Sequence, residues 1–250
     1  MPLYRDRAVI LRATPLKEAD RIITFLTQEH GQVRAVAHGI RKTTSRFGAR
    51  LDPLNLVDVQ LREGRGDLAS VSQVETQRAF GAVAVEDYAV WTAGQAMAET
   101  AEKLTHADSG SGQFLLLVSG LEALVTGARE PGLALDAYML RAMAIAGWGA
   151  TFDECARCGE PGPHRWFSIG GGGAMCADCH VLGCATPAPE TLQLLGALLA
   201  GDWGTADGSE PRHRNEATGL VNATLQWHLE REVRSLKHVD RKLKGSVRAV

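Results

Sequence analysis

Two cysteine pairs place the tightest constraint on how this chain can fold. Cys155-Ala-Arg-Cys158 and Cys176-Ala-Asp-Cys179 are CxxC motifs separated by seventeen residues. A CxxC turn sets two thiolates on one side of a tight knuckle, and two knuckles supply the tetrahedral sulfur shell that zinc prefers. Thiolates are soft ligands, which points to zinc rather than magnesium or calcium. The expected ligands of a structural Zn2+ are therefore Cys155, Cys158, Cys176 and Cys179, because a closed four-thiolate shell leaves no position open for water or substrate. Residues from about 153 to 184 should form a small zinc element.

Rival readings of the cysteines are weaker. Cys179-His180 completes a CxxCH, the c-type haem attachment pattern. That chemistry normally follows export, and Met1–Arg12 has no apolar signal core. A redox CxxC belongs at a strand-to-helix junction, whereas these pairs lie in Gly- and Pro-rich sequence. Disulfides are disfavoured in a chain expected in the cytoplasm. His164 and His180 could each replace one thiolate, but four cysteines already complete the shell. Cys184 is most simply a small buried residue.

The formal net charge of -2 conceals a segregation. Residues 1–80 carry 13 Lys/Arg against 9 Asp/Glu, residues 81–225 carry 7 against 17, and residues 226–250 carry 7 against 3. Two basic ends flank an acidic middle, which suggests a binding surface for a polyanion at the ends. No apolar run approaches the roughly 20 residues that span a bilayer.

The hydrophobic pattern divides the chain at about residue 80. Before it, five short strands are expected at Tyr4–Ala13, Arg21–Thr27, Gln32–His38, Leu56–Arg62 and Leu68–Thr76, with Glu63–Asp67 as a hairpin loop. Five strands with a longer third connection match an OB-fold barrel, although an SH3-like barrel has a similar count. After residue 80 the period becomes helical. Ala84, Tyr88, Trp91 and Ala98 are expected on one buried face, and Phe114, Leu117, Leu121 and Leu124 on another. Helices are also expected over Leu133–Ala146, through Leu192, Leu195 and Leu199, and along Val221, Leu225, Leu229, Val233 and Leu236, with Gly201–Pro211 as a loop. The fold class is thus α+β and multidomain: an OB-fold barrel over 1–80, then a helical domain over 81–250 carrying the zinc element.

The long loop holds the charge that could act. Arg34, Arg41, Lys42, Arg46 and Arg50 occur within seventeen residues that contain no acid. On a small barrel they would form a track for a nucleic-acid backbone, with Thr43, Thr44 and Ser45 adding hydroxyl donors. Lys237, Arg241, Lys242, Lys244 and Arg248 could extend it. Aromatic residues suited to base stacking are scarce before Tyr88, so phosphate contacts should dominate. The run Gly170–Gly173 lacks a following Lys-Ser/Thr and is not a P-loop. No GxSxG, HExxH or partnered nucleophilic cysteine is present, and nothing in the sequence supports an enzyme.

The segments Tyr4-Arg5-Asp6-Arg7, Glu18-Ala19-Asp20-Arg21-Ile22-Ile23-Thr24-Phe25, His30-Gly31 and Arg41-Lys42-Thr43-Thr44-Ser45-Arg46-Phe47-Gly48 resemble the N-terminal domain of the RecO family of recombination mediators. The helical middle and the CxxC pairs fall where zinc-bearing members carry them. The resemblance implies binding of single- and double-stranded DNA, annealing of complementary strands, and a place in the RecFOR pathway beside RecR. It also implies contact with the C-terminal tail of the single-strand-binding protein during RecA loading, and a cytoplasmic, nucleoid-associated location. The acidic middle argues against DNA contact by the helical domain. Two other classes remain: a zinc-containing RNA-modifying or nuclease enzyme, and a scaffold whose basic loop binds acidic tails.

Overall fold

Alternate residues of the first strand serve two different hydrophobic cores, and this arrangement organises the molecule. The computed structural model describes residues 2–64, 66–105, 111–229 and 234–239. Strands β1 (Leu3–Leu16), β2 (Asp20–Thr27), β3 (Gln32–Ala37), β4 (Leu56–Arg62) and β5 (Ala69–Arg78) close a barrel in the order β1-β2-β3-β5-β4. The β3–β5 pairing is parallel and the others antiparallel. Five strands in this Greek-key order make an OB-type barrel, as the strand pattern predicts. β1 is longer than its sequence pattern suggests because it pairs twice, with β4 through Leu3–Val9 and with β2 through Ala8–Leu16. A register shift between Ile10 and Arg12 bends it from one partner to the other.

Successive side chains of a strand point to opposite faces. In β1, Ala8 and Ile10 fill the barrel with Ile23, Phe25, Val57, Val59 and Leu61. Val9 and Leu11 face outward and join Leu26 and Leu56 in the core of the helical region. The barrel interior and the helical core are thus two separate clusters, and the outer face of the barrel wall belongs to the second. Leu54 fixes the junction: it is fully buried and adopts a left-handed φ of 72°, uncommon for a branched residue. Its Cδ1 would lie 2.9 Å from a Cβ added at Gly94, so α2 needs glycine there to admit it. The ion pairs Arg12–Glu102, at 2.6 Å, and Arg78–Glu122 tie β1 and β5 to the helices at the rim.

The helical region comprises α1 (Phe80–Ala84), α2 (Tyr88–Leu104), α3 (Ser111–Val125), α4 (Pro131–Ile145), α5 (Pro189–Ala200), α6 (Trp203–Asp207) and α7 (Pro211–Leu229). α4 is central, packing on α2, α3, α5 and α7, and is buried almost all round, which explains its weak amphipathic pattern. Glu130 caps its first turn through the amides of Gly132 and Leu133, with Pro131 at the position that tolerates it. Arg141 donates to the carbonyls of Leu198 and Leu199, closing the C-terminal end of α5 before Gly201 turns left-handed.

Three expectations need correction. Of the four residues expected on one buried face, Ala84 and Ala98 are buried, but Tyr88 is 61% exposed and Trp91 is half-buried, and α2 buries Ala93, Ala96, Met97, Ala101 and Leu104 besides Ala98. Small residues win that face because Leu54 and the neighbouring helices approach closely. The stretch Gly201–Pro211 is not all loop: Asp202 caps the short helix α6. The last helix is described through Leu229, and Leu236 lies in a 3-10 turn, Arg234–His238, rather than in an α-helix; the Ser235 amide donates to Glu99 on α2. Val233 and the tail cations Arg241, Lys242, Lys244 and Arg248 lie outside the described residues.

Candidate nucleic-acid interface and metal centre

The cysteine element occupies the connection from α4 to α5. Its frame is a two-stranded hairpin, β6 (Trp166–Ser168) and β7 (Gly173–Met175). The glycine run makes the turn, and Gly173 passes so close to Thr151 that an added Cβ would lie 2.4 Å from its carbonyl oxygen. Phe152 and Phe167 stack at 5.9 Å and sink into the helical core, pinning the element to it. Each CxxC closes on itself, with Gly159 N–H donating to Cys155 O at 2.8 Å and His180 N–H to Cys176 O at 3.1 Å.

The thiol sulfurs of Cys155, Cys158, Cys176 and Cys179 all lie within 4.8 Å of one another. Cys158 and Cys176 are separated by 3.7 Å, far beyond a disulfide bond. A tetrahedron with zinc–sulfur bonds of about 2.3 Å has edges of about 3.8 Å, so the spacing suits one shared ion. Cys155 is held down to about 6 by the backbone amide of Cys176 and then that of Cys158. Burial pushes Cys176 up to about 12. Four ionised thiols this close would repel one another strongly without a cation between them. The flanking histidines have other partners: His164 Nε2 meets Glu160 O at 2.8 Å, while His180 stacks on Trp166 at 4.2 Å with Nδ1 2.7 Å from Ala177 O. Cys184 is half-buried and has joined none of this geometry; it packs beside the cluster.

The five basic residues are disposed differently, on the surface of the barrel. Arg34 projects from β3, and Arg41, Lys42, Arg46 and Arg50 are exposed on the β3–β4 connection. The turn that carries Arg41 is held from below. Asp20 accepts from Gly39 N at 2.7 Å and faces His38 Nδ1 at 2.9 Å, while Arg41 N donates to Ala19 O at 3.0 Å. The Gly39 amide first, and His38 second, hold the Asp20 carboxyl below its ordinary value. Further along, buried Phe47 anchors the loop in the barrel core. Asn55 then staples it to α1, donating to Ala49 O at 3.0 Å and accepting from Gly81 N at 3.2 Å.

Among the described residues, none of these five cations has a carboxylate at ion-pair distance, whereas Arg12, Arg21 and Arg78 on the same barrel are each paired. The structure brings Arg46 and Arg50 together in a groove of about 450 Å³ with Arg5, Asp58 and Glu75. Arg34, Arg41 and Lys42 do not line that groove. Arg5 was missed by sequence reasoning; its placement follows only once β1 is known to pair with β4, opposite Gln60.

The comparisons with known proteins agree along both parts of the chain. Residues 1–80 match the family described as Recombination protein O N terminal, and residues 85–237 match Recombination protein O C terminal. The chain belongs to the RecO family. Among curated relatives, the DNA repair protein RecO of Streptomyces coelicolor is 52% identical over 249 residues, covering 96% of this chain and 100% of the relative. The proteins of the same name from Thermobifida fusca and Nocardioides sp. are 52% and 51% identical, again over 96% of this chain and 100% of each relative. This RecO-family chain has no described helix long and apolar enough to cross a membrane.

Proposed function

We propose that this chain is a non-enzymatic, DNA-binding mediator of recombinational repair. It binds single- and double-stranded DNA, anneals complementary strands and assists RecA loading with RecR on DNA coated by the single-strand-binding protein, whose C-terminal tail it contacts. The relatives named DNA repair protein RecO support this reading. The observation that carries it is the set of exposed cations, Arg34, Arg41, Lys42, Arg46 and Arg50, left without carboxylate partners on an OB-type barrel. Such charges neutralise phosphates, release condensed counterions and lower the repulsion between two strands, allowing base pairing to proceed. A nucleoid-associated cytoplasmic location follows from that role.

Cys155, Cys158, Cys176 and Cys179 would hold one Zn2+, which when bound supplies a cross-link between the two knuckles. The cysteine element then stiffens the connection between α4 and α5 and takes no part in chemistry.

Charge reversal at Arg41, Lys42 and Arg46 tests the basic loop. Single-strand affinity should fall, and the slope of log affinity against log salt should lessen by about 2, from roughly 0.7 per lost phosphate contact. Unchanged affinity across a range of salt concentrations rejects the loop. An annealing assay on DNA coated by the single-strand-binding protein then tests the mediator role.

A further inference from the structure

We propose that the cleft between the β3–β4 loop and the start of α2 is a pocket for unstacked bases of single-stranded DNA, with the aromatic surface supplied by the helical region. This rests on the DNA-binding reading above and adds a mode to it. The cleft has a volume of about 780 Å³, and Phe47, Pro53, Ala82, Val85 and Trp91 contribute to its walls. Arg46 and Arg50 stand on its loop side, and Ser45 and Thr76 offer hydroxyl groups to base edges. Apolar walls beside unpaired cations complement a nucleotide, whose base is flat and apolar on its faces while its phosphate is anionic.

Exposure at the mouth supports the same occupant. Val85, on the wall of the cleft, is 64% exposed, and Tyr88, outside that wall on the first turn of α2, is 61% exposed. Tyr88 lies three residues before Trp91, so the two rings share one side of α2. The half-buried Trp91 indole lines the cleft with Arg46, whose guanidinium lies 5.1 Å from the Phe47 ring, and with Arg50, which donates to Arg46 O at 2.6 Å. Neither cation has a carboxylate partner among the described residues, and an aromatic wall beside such cations suits base stacking. The acids nearby are engaged: Asp52 faces Arg21 at 4.0 Å, and Asp87 caps α2 through the amides of Ala89 and Val90. The cleft is also preformed. Asn55 joins its two sides, and Gly81 packs so tightly that an added Cβ would meet Pro53 O at 2.5 Å.

Duplex DNA keeps its bases stacked and cannot use such a pocket, so the two forms of DNA separate the proposal from simple phosphate binding. The probes are a short single strand carrying 2-aminopurine and a duplex of the same length. Tyr88→Ala and Val85→Glu alter exposed positions and should leave the fold intact. Tyr88→Ala should weaken single-strand binding by on the order of tenfold, the loss expected for one stacking contact, and Val85→Glu should weaken it by placing a charge on the apolar wall. Tyr88→Ala should leave duplex affinity and the salt slope unchanged because no phosphate contact is lost, and Val85→Glu, which also sets a carboxylate near Arg46 and Arg50, should cost the single strand more than the duplex. The quenching of 2-aminopurine seen on binding should diminish in both variants.

Equal losses for single strand and duplex would overturn the pocket, as would no loss for either. If reversal at Arg41, Lys42 and Arg46 still abolishes binding in that case, the DNA-binding reading survives alone. A short acidic peptide that binds the intact protein and is lost with Val85→Glu, while the single strand is unaffected, would assign the cleft to a protein partner and overturn the proposal. Absence of any DNA binding by the unaltered chain sinks both readings together.

Discussion

At the cysteine quartet every sulfur faces another sulfur, and the surrounding backbone folds inward to enclose them. On the β3–β4 connection the cations face outward, and the supports, Asp20, Phe47 and Asn55, lie behind them. Both regions are short and recognisable in sequence, but their chemistry is disposed oppositely. A cluster whose ligands satisfy one another contributes to holding the molecule. A cluster whose charges are left unsatisfied is available to something else. Stability and binding should therefore separate by region.

Removing two ligands should produce the largest effect. The double change Cys158→Ala with Cys176→Ala should abolish zinc binding, measured by elemental analysis of the purified protein, and lower stability by about 4 kcal/mol or more, as loss of a structural metal does. DNA affinity of the folded fraction should survive, and a matching loss of binding would break the contrast. Native protein lacking zinc would remove its basis altogether.

Asn55→Ala should cost about 1–3 kcal/mol in denaturant unfolding, since the carbonyl of Ala49 and the amide of Gly81 both lose their partner. It should also weaken single-strand binding by loosening the cleft. Stability falling without any effect on binding would show that the loop needs no support from α1. Gly94→Ala should cost about 1–3 kcal/mol by overpacking against Leu54, with binding unaltered.

The smallest effect concerns pH. The Asp20 carboxyl titrates below its ordinary value because ionisation lets it accept from Gly39 and pair with His38. Its support of the turn is present above the ordinary aspartate value and is lost as pH falls through the depressed one. The Gly39 amide signal in NMR should move only in that acid range, and in Asp20→Asn that movement should vanish. Movement centred at or above the ordinary value would show that the turn does not favour the ionised form.

The parts legible in the sequence were those encoded by near neighbours. The strand alternation after Tyr4, the turn at Glu29–Gly31 and the two CxxC spacings each depend on a few consecutive residues, and the barrel and the cysteine cluster follow from them. Arg5 and the cleft were not legible because they are made by distant pairings. Arg5 meets Arg46 and Arg50 only after β1 closes against β4. Trp91 comes to the loop only because Leu54 seats in α2 at Gly94. Ala84 and Ala98 are buried as their spacing suggests, but Tyr88 and Trp91 are not covered, because close helix approach selects alanine over a large ring. Aromatic residues are scarce in the barrel segment, and the indole of Trp91, on the first turn of α2, lines the cleft opposite the loop.

The two-faced strand β1 carries a mechanical consequence. Val9, Leu11, Leu26 and Leu56, all on barrel strands, belong to the helical interior. A large apolar boundary of this sort suppresses hinge motion between units. A fragment ending near Ala79 would put those four side chains into water, so residues 1–80 should not survive excision as an independent, soluble piece. The intact chain should melt in one cooperative step. A DNA strand laid on the barrel is then presented at a fixed angle to everything the helices carry.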